Sequence, residues 1–401
     1  MSRATTKEFF IKERLTEVRE ARGLTQTGVA KSLNRSNSTI SNWERGEQAP
    51  EPAALEQLAG LMEVPTGYFR LPMPDYGDDA IFFRSLANAT ARIRTREKAR
   101  VRWLQHISLT LQRTLDFPEV RFPQLLSDGD YKRLEHADLE KLAEAMRKHW
   151  NLGEAPIKNA ILVAENAGTV VGVDSVGSTK IDGQGNWSRA DHRPYILLAG
   201  DKYTAFRRQM DLAHELCHLI LHRGVSEAEL AENFHLIEDQ AKYLASAFLL
   251  PHRSFSADIF SLSLDGLLAL KPKWMVSVGA MIKRAHQLEM LSDAAAQRLW
   301  QYRATRGWHK REPLDLPNET PVEEPRLLKR SVEMIVQAKV RSKTDLLLSD
   351  ICLAGHDVEQ LACLQPHYFA DPATVVPFEP KLKTRDGTGT SADVIPLRKP
   401  N

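Results

Sequence analysis

The sequence predicts a mainly α-helical chain with a small β-sheet, an α+β fold spread over more than one domain. Three observations lead there. The chain has 401 residues, more than one core of ordinary size needs. Apolar residues recur at helical spacing in two stretches, 207–222 and 236–251. Residues 9–70 are divided by cap and turn residues into several short amphipathic segments.

Composition sets the outer limits. Hydrophobic residues make up 42% of the chain, enough for packed cores. There are 54 basic and 52 acidic side chains and the net charge is +2, so nucleic-acid binding must come from local patches. The three cysteines, Cys217, Cys352 and Cys363, form no CxxC pair; they argue against a disulfide framework and fit a reducing cytoplasm. The opening MSRATTKEFF is not a signal peptide, and no apolar run is long enough to span a bilayer. A cytoplasmic protein with no membrane partner is expected.

In chain order, residues 9–70 read first as a helical bundle. Phe10, Leu15, Val18 and Ala21 mark a helix that Gly23 ends. Thr25 caps a second helix over 25–33, Asn34-Arg35 forms a turn, and a polar-faced helix runs from Ser36 to Glu44. Arg45-Gly46 stops it and Pro50 opens the next. Helix, turn and polar-faced helix in that order is the helix-turn-helix layout. The wording LTQTGVAKSL…STISNWERG…P resembles the XRE family of lambda-repressor-like domains, with Gln26, Ile40, Trp43-Glu44 and Gly46 at the family's spacing. A recognition helix enters the major groove by its N-terminal residues, here Ser36, Asn37, Ser38 and Thr39, with Asn42 one turn on. Asn pairs with adenine, Ser and Thr reach bases or phosphates, and Gln26 suits a phosphate contact. Ile40 and Trp43 belong to the core. Gly28, inside the second helix, costs on the order of 1 kcal/mol against Ala; Arg35 stands where an aliphatic residue is usual, to reach a phosphate or to loosen the motif. The expected partner is a double-stranded DNA operator bound by a homodimer.

Residues 71–80 read as a linker and 81–135 as a basic helical connector. Within 81–104, Arg84, Arg92, Arg94, Arg96, Lys98, Arg100 and Arg102 face only Glu97. Such a run is a solvated face or, beside a DNA reader, a phosphate-contacting one.

Residues 136–310 hold the chemistry. The stretch RRQMDLAHELCHLILH places His214 and His218 four apart, on one face of a helix. Two imidazoles so spaced can clamp zinc, and Glu215 stands next to the first, placed to take a proton from a water polarised by the metal. Zinc enzymes of this type need three protein ligands and one open position. Glu238, at the start of the helix over 236–251, supplies the third ligand; Glu232 and Asp239 are alternatives. Pro251 closes that helix. His222, a further turn beyond His218, would orient a ligand or stabilise a developing oxyanion, or would simply pack; His192, His235 and His252 are weaker candidates for the same role. Residues from about 140 to 255 resemble the ImmA/IrrE family of zinc-dependent peptidases. The resemblance is carried by Trp150-Asn151-Leu152-Gly153, Pro156-Ile157, ILVAENAGTVVG over 161–172, Ile181-Asp182-Gly183, Arg193-Pro194-Tyr195-Ile196, the HELCH helix, and Glu238-x-x-Ala241 leading to LLP. It implies a zincin-like fold with a small sheet, His214, His218 and Glu238 as zinc ligands, and Glu215 as general base. Cys217 stands where a glycine is usual, as a packing residue or an inhibitory fourth ligand, and Lys242-Tyr243 replaces a polar-aromatic pair.

Residues 270–290 read as one amphipathic helix, matching the same family at Trp274 and Ser277, and 308–327 as a second linker. Residues 328–401 form a small helical C-terminal region that ends in an extended tail. The whole is expected to be a regulator that reads DNA and cleaves a protein, a helix-turn-helix repressor in trans or its own chain, to switch stress or mobile-element genes. The rival is a DNA-binding repressor whose zinc fold only senses a ligand or partner.

Overall fold

The computed structural model describes residues 10–77, 82–83, 91–126, 130–175, 183–200 and 204–370. Arg84, Ile181 and Asp182, and the tail from residue 371, lie outside the described residues.

Four helices open the chain: α1 (Lys12–Ala21), α2 (Gln26–Ser32), α3 (Asn37–Arg45) and α4 (Pro52–Met62). Thr25 caps α2 by accepting from the Gly28 amide, and Ser36 caps α3 by accepting from the Thr39 amide. Gly46 ends α3 in the left-handed conformation at φ 74°, where a Cβ would also sit 2.8 Å from the Lys12 side chain. Ile40 and Trp43 are core residues, as the pattern of the sequence requires. Arg35 stays exposed and pairs with Glu51 at the start of α4.

The next elements are β1 (Phe82–Phe83), α5 (Ala91–Leu111), α6 (His136–His149), α7 (Ala160–Asn166), β2 (Val170–Asp174), β3 (Gly183–Trp187) and β4 (Pro194–Ala199). The sheet order is β1-β3-β4-β2, with β2 parallel to β4 and the other two pairings antiparallel. The run PYILLA of β4 is apolar throughout because both its faces are covered. Ile196 and Leu198 enter one core and Tyr195 and Leu197 the other, following the two-residue strand period.

On the Ile196 side lie α8 (Ala205–Leu221), α9 (Glu227–Glu232), α10 (Phe234–Leu249), α11 (His252–Asp258), α12 (Leu264–Trp274), α13 (Val278–Gln287) and α14 (Asp293–Thr305). Helix α8 packs on α10 and on β3 and β4, and its apolar residues sit in the centre of this core. The single helix expected over 270–290 is two: Met275 adopts φ 55° and Ser277 caps α13 afresh. The expected linker 308–327 is tied down. Buried Lys271 donates to Pro313 O at 2.8 Å and pairs with Asp315 at 2.7 Å and Glu312 at 3.0 Å.

On the Tyr195 side the expected connector proves to be structural. Helix α5 is a core helix that carries the opening bundle on one flank and the sheet on the other. Trp103 donates to Tyr68 Oη at 3.0 Å, while Gln105 donates to Asn186 of β3 at 3.2 Å. One of its basic residues, Arg100, turns fully inward. Buried Arg100 forms a fork with Asp174 at 2.7 and 3.0 Å and also pairs with Asp357. Arg22, at the C-terminal cap of α1, reaches the same Asp357 at 2.7 Å. Arg96 pairs with Glu97, and Arg92 donates to Gly23 O, so neither is a plain solvated cation. Burial beside Asp174 pushes the Glu97 carboxyl up to about 7. The C-terminal helices α15 (Leu327–Gln337), α16 (Lys343–Asp345) and α17 (Gly355–Leu361), with a π-type turn over Leu346–Ile351, close this core against α5 and β2. They belong to the same apolar cluster as the opening bundle. The expected linker at 71–80 is likewise held as far as described: Arg14 donates to Leu71 O and Pro72 O, and Tyr76 is buried.

Among the described residues no helix is long and apolar enough to cross a membrane.

Candidate metal centre and nucleic-acid interface

Thr204 caps α8 by accepting from the Arg207 amide at 3.1 Å. From Asp211 onward every residue of the helix is buried, so its histidines face a shielded interior. His214 and His218 lie one turn apart and direct their Nε2 atoms to one point, 3.1 Å from each other. Helix α10 crosses α8 and brings Glu238 Oε1 to 3.6 Å from His214 Nε2 and 3.3 Å from His218 Nε2. Zinc bound tetrahedrally at about 2.0–2.1 Å sets its ligand atoms roughly 3.3 Å apart. The three donors therefore have the spacing that one such ion requires. Theirs is the one group of three metal-ligating side chains so arranged among the described residues. Burial disfavours the charge on Glu238, but hydrogen bonds and charge from His214 and His218 outweigh it and hold its carboxyl below the usual range.

The alternative ligands stand elsewhere. Asp239 points away from the cluster and pairs with His136 at 3.8 Å, and Glu232 is exposed at the end of α9. His192, His235 and His252 are all exposed. Cys217 is fully buried within the apolar core, and burial pushes its thiol far above the ordinary range. It packs there as a small neutral side chain.

Glu215 is 1% exposed and lies against the first residue of β3. A Cβ at Gly183 would sit 3.1 Å from Glu215 Cγ and 3.3 Å from Oε1, so any larger residue there would press on the carboxylate side chain.

His222 caps the C-terminus of α8 and lies behind His218. Its Nδ1 is 3.1 Å from His218 Nδ1 and its Nε2 is 3.3 Å from Gln240 Oε1. Gln240 Nε2 in turn donates to Tyr131 O at 2.7 Å. Both imidazole nitrogens of His222 are thus engaged on the far side of His218 from the point where the three donors converge. Burial, then the neighbouring His218, drives the His222 pKa well below its ordinary value, and the ring stays neutral. Gln240 and Tyr131 were not legible as parts of the site, because nothing in their local pattern distinguishes them from packing residues. Lys242 was visible only as a departure from the family wording; it sits one turn beyond Glu238, with Nζ 2.8 Å from Glu238 Oε2.

In the opening bundle Ser36, Asn37 and Ser38 are exposed at the start of α3, with Thr39 and Asn42 half-buried on the same helix. Ser36 spends its hydroxyl on the cap and on Ser38 and Thr39 at 2.7 and 2.8 Å. Thr27 donates to Asn37 Oδ1 at 3.3 Å, and Asn42 Oδ1 accepts from Arg45 at 2.6 Å. Each asparagine thus has its side-chain carbonyl engaged within the domain. Gln26 donates to Glu44 Oε2 at 2.7 Å, and Arg19 clamps the same carboxylate. Arg45, exposed at the end of α3, is a further cation of this surface that the reading of the helix start passed over.

Comparison with known proteins agrees with both halves. Residues 164–286 match the IrrE N-terminal-like domain, and residues 13–67 match a helix-turn-helix domain. Over 56 residues, 14% of this chain, the sequence is 39% identical to the HTH-type transcriptional regulator ImmR of Bacillus subtilis (strain 168). The chain spans 44% of that curated relative's length. One polypeptide thus joins an XRE-like helix-turn-helix domain to an IrrE/ImmA-like domain.

Proposed function

We propose that this chain is a DNA-binding transcriptional regulator carrying a zinc-dependent metalloendopeptidase, which cleaves a helix-turn-helix repressor and so switches stress or mobile-element genes. One observation carries the reading: His214 Nε2, His218 Nε2 and Glu238 Oε1 converge within 3.6 Å of one another, in the same helical pair that holds buried Glu215. These three residues would hold the metal and leave a fourth position open. Zinc, when bound, supplies the Lewis acidity that polarises the scissile carbonyl and acidifies water. Glu215 accepts a proton as the water oxygen adds to the carbonyl carbon, and returns it to the amide nitrogen as the C–N bond breaks.

His222 acts as a positioning residue in this scheme. If Gln240 receives the His222 Nε2 proton, His222 Nδ1 accepts from His218 Nδ1, and the His218 Nε2 lone pair is left facing the metal. His222→Phe keeps the ring volume but removes that acceptor. Zinc affinity should then fall by about 10–100-fold in a chelator competition; an unchanged affinity would remove His222 from the scheme.

The helix-turn-helix domain would bind a pseudo-palindromic operator as a homodimer, with half-sites about one helical turn apart. Asn37→Ala and Asn42→Ala should each weaken binding to the operator by about 1–3 kcal/mol if that asparagine reads a base. Binding to scrambled DNA should hardly change. Equal losses on both DNAs in a gel-shift titration would remove these residues from base reading.

The anchoring of residues 71–77 favours a substrate in trans over the chain's own linker. The decisive experiment compares stressed cells carrying wild type and Glu215→Gln, following tagged repressors by mass spectrometry beside a promoter reporter. A new fragment end and derepression in wild type alone support proteolysis. Equal derepression with no new fragment favours the rival, a ligand-sensing repressor. That rival draws support from Arg22, Asp357, Arg100 and Asp174, which tie the DNA reader to the sheet beside the metal site.

A further inference from the structure

A cleft of about 440 Å³ opens beside His214, walled by α8, α10, α13, α14 and the segment after α14. Lys242, Lys283, Lys310 and Arg311 line it together with Trp300 and Trp308. The cleft's own carboxylates are already matched. Glu312 accepts from the Val278 and Gly279 amides at 2.8 and 3.0 Å and pairs with Lys271 and Arg303, each at 3.0 Å. Asp315 pairs with Lys271 at 2.7 Å, and Asp211 lies 3.6 Å from Arg207. Lys310 and Arg311, exposed on the rim, form no ion pair among the described residues. The field at the mouth is therefore positive, and low-dielectric indole walls concentrate it.

We infer that this cleft receives an acidic segment of the protein substrate, with carboxylates held at Lys310 and Arg311 and the chain lying along the cleft walls that Trp300 and Trp308 help form, toward His214. The inference rests on the peptidase reading for the direction in which a substrate enters. Glu312 illustrates the chemistry on the same wall, where backbone amides and two cations already hold a carboxylate. A peptide with closely spaced Glu or Asp side chains meets the rim by charge and the walls by the apolar parts of those side chains. A basic or neutral peptide meets only repulsion or a wet, charged mouth.

The test uses the full chain carrying Glu215→Gln, which removes the base and keeps a bound peptide intact. Calorimetric titration with capped hexaglutamate should give saturable binding that weakens as salt rises, whereas capped hexalysine should give none. Lys310→Glu with Arg311→Glu should weaken hexaglutamate binding at least tenfold while zinc content and melting temperature stay unchanged. If that pair disturbs folding, Lys310→Gln with Arg311→Gln should still weaken it severalfold. No hexaglutamate binding, equal binding of hexalysine, an undiminished affinity in the folded variant, or full displacement by equimolar inorganic phosphate would each overturn the inference. Failure of the peptidase reading looks different. A wild-type chain that binds hexaglutamate but cuts no protein keeps the acidic-segment site and loses the hydrolase. A chain that cuts its repressor but ignores hexaglutamate loses only this site.

Discussion

His218→Ala should empty the metal site. Elemental analysis of the purified chain should fall from about one zinc per chain to a small fraction of that. The reason is geometric: His218 lies between His214 and Glu238, at 3.1 and 3.3 Å, and its removal leaves two donors 3.6 Å apart on different helices. Two donors cannot define a tetrahedral site, and the buried pocket offers no substitute, since Asp239 and Glu232 stand outside it. Glu215→Gln is the matching control. It should keep the full zinc content and lower peptide hydrolysis by about 10²–10⁴-fold, because a general base has been lost and no ligand has. Full metal in His218→Ala would mean that the ligands have been misassigned.

Arg100→Met should be the most damaging single change far from that site. The guanidinium is almost wholly buried and serves two carboxylates, Asp174 at the end of β2 and Asp357 in α17. Breaking a buried pair by deleting one partner costs about 3–5 kcal/mol, because the remaining charge is left in a poor solvent. Arg22 still supports Asp357, and Arg96 stands 3.7 Å from Asp174, so the lower half of that range is expected. Chemical denaturation measures it directly. Arg306→Ala, which removes an exposed pair with Asp265, should hardly move the midpoint. A similarly small shift for Arg100→Met would show that the buried network is not structural.

The contrast between these two predictions explains how much could be read from the sequence. His214 and His218 are four residues apart on one helix, so local periodicity alone brought them together. Glu238 needed one further step, the crossing of two recognisable amphipathic helices. The start of the recognition helix was legible in the same way, through the Ser36 cap and the Gly46 stop. Helix α5 was not. Its run of basic residues has the look of a solvated face, yet Glu97, Arg100 and Gln105 are buried. What neutralises Arg100 lies 74 and 257 residues away, at Asp174 and Asp357. No local pattern encodes such partners, so the segment read as a connector and the C-terminal helices as an appendage. The break at Met275 escaped for a related reason: apolar spacing continues across it, and only the left-handed backbone reveals two helices. Gln240 and Tyr131 escaped because a hydrogen bond from His222 to Gln240, passed on from Gln240 to the Tyr131 carbonyl, leaves no mark on periodicity.

The apolar cluster shared by α1–α4, α5, the outer face of the sheet and α15–α17 limits how this protein can be taken apart or recombined. A chimera joined at residue 77 would separate Tyr68 from Trp103 and strand an apolar face on each fragment. Exchanging the reader for one of different specificity therefore means carrying α5 and the C-terminal helices along, or rebuilding the faces they cover. Substitutions in the bundle that reach this cluster are felt across the boundary that the two family matches draw.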